Sequence, residues 1–177
     1  MSILKVARLG HPIIRRKADR VSESEVHSQE IQSLIHAMIE TMREYDGVGI
    51  AAPQVHVSKQ IAVIEVKANP RYPDAPDIPL TILINPKIIK HSQKKIDGWE
   101  GCLSVPDMRG VVPRYESLIC EALNQNGETV KIEAKGFFAR VIQHEYDHLQ
   151  GCVYLDQMHD LKTLTHLTEF SRFWSES

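Results

Sequence analysis

The segment His144-Glu145-Tyr146-Asp147-His148 limits what this chain can fold into more than any other stretch of it. It lies within Phe137 to Gln150, where Phe138, Val141, Ile142 and Leu149 recur at helical spacing and Gly151 offers a C-terminal stop. On a helix, histidines four residues apart stand about 40° apart around the axis and about 6 Å apart along it, so both rings can grip one ion. Glu145 then projects beside the pair, placed to act on a water without ligating the ion. The bland alternative has both imidazoles capping the helix or facing solvent. If an ion is held, two rings do not complete its shell, and the fold must carry a third ligand to this helix from another segment.

Three candidates can be read off. A third histidine six residues after His148, as in extended metalloprotease patterns, is excluded because that position is Tyr154. An acid on a following helix is available: Glu169 lies 21 residues beyond His148, a spacing within the range of thermolysin-like peptidases. A thiolate is available too, since Cys102 sits in Glu100-Gly101-Cys102-Leu103-Ser104 beside a glycine that lets backbone approach closely. The residues by themselves leave Cys102 and Glu169 both open.

The remaining pattern describes an α+β chain of one domain, residues 1–177. Ser28 to Tyr45 places Ile31, Leu34, Ile35, Met38, Ile39 and Met42 at helical steps, with Gly47 as its end. Gln60 to Val66 and Leu80 to Lys90 read as strands. Between them, Lys67 to Pro79 holds four prolines and reads as a surface loop. Ser117 to Asn124 and Glu128 to Ala134 flank an Asn-Gly pair and predict an antiparallel hairpin. Asp160 to Trp174, with Leu161, Leu164, Leu167 and Phe170, predicts one last helix. The expected architecture has helices covering one face of a mostly antiparallel sheet, packed around the metal-binding helix, with further helices towards both ends.

Composition excludes several functions. A net charge of -2, with acids and bases intermixed, offers no broad cationic face for a nucleic-acid substrate. The longest apolar run, Ile61 to Ile64, is far short of the roughly 20 residues of a membrane span. The basic opening, from Lys5 to Arg20, contains Gly10, Pro12 and Asp19 and reads as folded chain rather than a transit peptide. Three cysteines without close spacing argue for a reducing compartment, hence the cytoplasm, where a thiol stays available as a ligand.

Gly47 to Gln54 reads Gly-Val-Gly-Ile-Ala-Ala-Pro-Gln. Its small residues let another chain lie against the backbone, whereas a dinucleotide site would need a third glycine where Ala52 stands. This stretch, then Glu-Gly-Cys-Leu-Ser, then His-Glu-x-x-His, together and in this order, resemble the peptide deformylase family, as does the opening Lys5 to Val21. The resemblance spans residues 5 to about 155. Only Ile50, where leucine is commoner, and a long Pro-rich stretch depart from the pattern.

That resemblance implies a hydrolase that takes the formyl group from N-formylmethionyl nascent peptides. It implies Cys102, His144 and His148 as ligands of one divalent ion, ferrous iron (Fe2+) in the cell, with zinc (Zn2+) equally suited to the donors. It further implies Glu145 as acid/base, Gln54 and the Leu103 N–H as oxyanion donors, and Val48, Gly49 and Gly101 along the substrate backbone. Arg109 is expected near the substrate entrance or in a surface salt bridge. Transient ribosome contact through the C-terminal helix is a family expectation that the charges do not carry, since Lys162 and Arg172 are opposed by Asp160, Glu169 and Glu176. The other seven histidines and Cys120 are expected on the surface or in the core, and Cys152 at a helix end.

Overall fold

Serines stand at the starts of the first two α-helices of the computed structural model, which describes residues 3–175 and so leaves Glu176 outside. The Ser22 N–H donates to Glu25 at α1 (Glu23–Val26), and Ser28 Oγ accepts from Ile31 N at α2 (Gln29–Glu44). The predicted apolar stripe of α2 is buried at Ile31, Ile35, Met38, Ile39 and Met42. The helix stops before Gly47, because Asp46 takes the left-handed conformation (φ +51°) and the Gly47 N–H closes the end on Met42 O.

Among the described residues eight strands follow: β1 (Gly49–Ala51), β2 (Ile61–Val66), β3 (Ile78–His91), β4 (Lys95–Cys102), β5 (Val105–Tyr115), β6 (Ser117–Leu123), β7 (Thr129–Lys135) and β8 (Thr165–His166). The strands form two antiparallel sheets, in the orders β1-β2-β3-β6-β7 and β4-β5-β8. Helix α3 (Gly136–Leu149) follows β7, and α4 (Leu167–Phe173) follows β8.

Strand β2 shows why the larger sheet is covered on both faces rather than on one. Successive side chains of a strand point to opposite faces. Ile61 and Val63 join the α2 cluster, while Ala62, Ile64 and Val66 join the cluster around Val141, Ile142 and Leu149 of α3. A strand buried on both faces reads as a nearly continuous apolar run, as this one does from Ile61 to Ile64 before Glu65 interrupts it. Helix α3 thus lies inside the molecule, and Gly151 (φ +78°) stops it where a β-carbon would strike the Arg15 carbonyl.

The β6–β7 hairpin forms as predicted. Gly127 (φ +74°) takes the left-handed place, and Asn124 Oδ1 accepts from the N–H groups of Asn126 and Glu128. The C-terminal segment differs from the single predicted helix. It breaks into a 3-10 turn at Leu161–Thr163, the short β8 and α4. Asp160 and His166 each accept from an N–H two residues on, and Thr165 and His166 pair with Arg109 and Met108 on β5.

Candidate active site

Strand β4 ends on Cys102, and its sulfur meets the interior face of α3. Cys102 Sγ is 3.3 Å from His148 Nε2, and one donor atom each from Cys102, His144 and His148 lie within 4.8 Å of one another. Ligands on a tetrahedral ion with bonds of about 2.0–2.3 Å stand roughly 3.5 Å apart, so a cation fits among them with little movement. A thiolate and two imidazoles suit iron or zinc and not a hard, oxygen-seeking cation. Burial opposes ionisation of Cys102, yet the facing imidazoles of His148 and His144 hold its pKa well below that of an ordinary thiol.

Behind the donors lies a charged layer. His144 Nδ1 is 2.9 Å from a Glu100 oxygen, which fixes the ring and turns its other nitrogen towards Cys102. Glu100 is buried at 3% exposure and takes two bonds from Arg114, at 2.9 and 3.0 Å, and one from Arg140 at 2.8 Å. Arg114 also binds Asp147 at 2.6 Å. Burial works against the Glu100 carboxylate, but the bonds from His144 and Arg114 outweigh it and hold its pKa below the usual range.

The amide of Gln54 is anchored through its oxygen, which accepts from Ala51 N at 2.8 Å. Its Nε2 therefore faces the site, 3.5 Å from Cys102 Sγ and 3.2 Å from Ser104 Oγ. Glu145 is buried without a salt-bridge partner among the described residues, and burial pushes its carboxyl up to about 7. Its Oε2 has no hydrogen-bond partner, and a buried polar atom of that kind calls for a polar group beside it. Gly49 lies against this carboxyl so closely that any β-carbon would collide with it. The small residues of the Gly47–Gln54 stretch thus make room for Glu145 as well.

Val48, Gly49, Gln54, Gly101, Leu103 and Glu145 line one cavity next to Cys102. Arg109 lines the neighbouring cavity and forms no surface salt bridge among the described residues. It is buried, stacked over Tyr72 (4.5 Å) and Phe170 (5.3 Å), and donates to Arg71 O. Glu169 is exposed on α4, 3.6 Å from Arg172 and outside the donor cluster, so the thermolysin-like alternative is not supported. Among the described residues no other donor group of this kind exists, and Cys152 is not part of it.

The chain matches the family model for polypeptide deformylase over residues 3–164. It belongs to the polypeptide deformylase family. It is 43% identical over 164 residues to peptide deformylase 2 of Nostoc sp., covering 92% of this chain and 90% of that one. It is 45% identical over 156 residues to peptide deformylase 1 of Bordetella pertussis, covering 88% of each. A Met-Ala-Ser-bound class I type b peptide deformylase from Acinetobacter baumannii superposes with a TM-score of 0.86 at 44% identity, over 89% of this chain and 100% of that one.

In this chain the residues by themselves point to His144 and His148, the resemblance adds Cys102, and neither marks the layer that orients them. Arg140, His144 and His148 are spaced by four, so a helical reading of the motif could have included Arg140. Arg114 and Tyr72 carry no local signal. Tyr72, from the Pro-rich loop, takes the Gly101 N–H on its hydroxyl at 3.3 Å, which brings that loop to the rim of the site.

Proposed function

We propose that Cys102, His144 and His148 hold one divalent cation, and that Glu145, Gln54 and the Leu103 N–H act around it to release formate from N-formylmethionyl peptides, within one catalytic domain spanning residues 1–177. The observation that carries this reading is the convergence of one thiol and two imidazoles beside an unpaired buried carboxyl. Bound there, the cation would supply Lewis acidity, making water acidic enough to give up a proton near neutral pH.

The protein supplies the rest. Val48, Gly49 and Gly101 offer backbone along which the formylmethionyl segment lies extended. Glu145 takes the proton of the attacking water as the oxygen bonds to the formyl carbon. A carboxyl pushed up to about 7 both accepts and returns a proton at neutral pH. Gln54 Nε2 and the Leu103 N–H donate to the oxygen on which charge gathers, and loss of one such donor costs on the order of 3 kcal/mol. When the carbon–nitrogen bond breaks, Glu145 passes its proton to the departing methionine nitrogen, leaving formate and a free amine.

We assign Fe2+ as the ion in the cell on the family resemblance; the donors accept Zn2+ equally, and the affinity order favours zinc. With iron, the Cys102 thiolate is open to oxidation, so loss of activity in air accompanies that assignment. The cytoplasm suits a free Cys102, and no helix among the described residues is long and apolar enough to cross a membrane. Ribosome contact gains no cationic surface from the C-terminal segment, because on α4 Arg172 faces Glu169, and in the preceding 3-10 turn Lys162 faces Asp160.

The test is formate release from formyl-Met-Ala-Ser against cleavage of an internal peptide bond. Formate release is expected, lost on Cys102→Ala together with the bound metal and retained within about twofold on Glu169→Ala. The opposite pattern in the two variants would overturn the reading.

A further inference from the structure

A second cavity of about 880 Å3 opens beside the first and shares Arg71, Cys102 and Leu103 with it. One wall is the N-terminal segment, held in place by Ala7 N to Gln54 O and Leu9 N to Ser104 O, both 2.7 Å. The opposite wall is the start of β5, from Val105 to Arg109. Its charged lining is unbalanced: Lys5, Arg8, Arg71 and Arg109 face Asp107 alone, with His11 and His56 in edge contact at 4.7 Å. This is local, since the whole chain carries a net charge of -2.

Arg109 is already engaged by Tyr72, Phe170 and the Arg71 carbonyl. Among the described residues no ion pair engages Lys5, Arg8 or Arg71, although charged side chains elsewhere on the surface pair readily. Lys5 and Arg8 are exposed, so each can turn to an incoming anion. A concave surface lined by one sign of charge concentrates field and raises the local density of oppositely charged ligand.

We propose that this groove receives the residues that follow the formylmethionine and favours nascent chains with acidic side chains within the first three of them. A volume of this order takes several residues rather than one side chain. The groove begins at Cys102 and Leu103, where the deformylase reading puts the reacting end, and the proposal rests on that reading. Lys5 and Arg8 supply the preference from the N-terminal wall, and Arg71 from the Pro-rich loop.

The experiment compares kcat/KM for formyl-Met-Ala-Glu-Glu, formyl-Met-Ala-Ser-Ser and formyl-Met-Ala-Lys-Lys. At low ionic strength the acidic peptide is expected about three- to tenfold ahead of the neutral one, with the basic peptide last, and the gap should shrink at high salt. Lys5→Glu with Arg8→Glu reverses the order. Should that chain fail to fold, Lys5→Ser with Arg8→Ser takes its place and closes the gap. Equal efficiencies for the three peptides, or an order unchanged in the altered protein, overturn the groove assignment while formate release stands. Formate from none of them overturns the deformylase reading along with it.

Discussion

Two buried regions lie on either side of the active site and are held in opposite ways. Where α2 meets β1 and β2, Ile35, Met38, Met42, Ile50, Ile61 and Val63 are at most 1% exposed and pack against one another, with the Arg43–Glu65 ion pair at the edge of the contact. Behind the metal donors, Glu100, Arg114, Arg140 and Asp147 form a buried layer in which two acids face two guanidinium groups. Apolar burial is non-directional and tolerates swaps of similar volume. Buried ion pairs are costly to desolvate and return little net stability, but they work only in one arrangement. The difference shows what each region is for: the first holds the chain together, and the second holds His144 at a fixed angle to Cys102.

The largest effect expected is on chemistry alone. Glu145→Gln keeps the side-chain volume and leaves Cys102, His144 and His148 in place but removes the proposed proton shuttle, so kcat should fall by about 100- to 10,000-fold with metal content unchanged. A fall of less than tenfold would deny Glu145 that role. Glu100→Gln strikes the charged layer and should do two things at once. It removes the carboxylate that Arg114 and Arg140 share, leaving Arg114 with Asp147 and Arg140 with backbone carbonyls alone, at about 3–5 kcal/mol of stability in urea titrations. It also releases the His144 ring, which should weaken metal affinity about 10- to 100-fold in a competition assay. Stability lost with metal affinity intact would show that the layer does not orient His144.

The apolar side gives the converse. Ile35 is fully buried in α2, and Ile35→Ala should cost about 2–4 kcal/mol in the same titration. Metal affinity, and kcat per folded molecule, should stay at the wild-type values. A change in either would mean that the two regions are not independent.

The same contrast decided what could be read from the sequence. Apolar periodicity gave α2, β2 and α3, because the spacing that buries a stripe is written in consecutive residues. The three side chains that converge at the site were legible as candidates because metal chemistry restricts ligands to few residue types, and the resemblance then chose Cys102 over Glu169. Strands β4 and β5 were not legible. Gly98, Gly101, Gly110, Pro106 and Pro113 interrupt them, and much of β4 is exposed, so no alternation marks them. The charged layer was invisible for a different reason. Glu100 and Arg114 are 14 residues apart, and only the β4–β5 pairing brings them together. Nor could the break in the C-terminal segment be seen, since Leu161, Leu164 and Leu167 keep helical spacing while Asp160 and His166 take the backbone N–H groups.

An exposed ion pair provides the lower end of the comparison. Glu25 accepts from Lys59 and from the Ser22 N–H, and these bonds lower its pKa from 4.5 to about 2, the Lys59 bond contributing most. A carboxyl with a depressed folded pKa stabilises the fold above its unfolded value and loses that contribution as pH falls through the folded one. Glu25→Gln should therefore lower Tm slightly at pH 7, and the gap to the wild type should close between about pH 4.5 and about pH 2. Because the pair is solvent-exposed, high salt should narrow the gap at neutral pH as well. A gap that persists at pH 2 would assign the loss to the helix start at Ser22 rather than to charge.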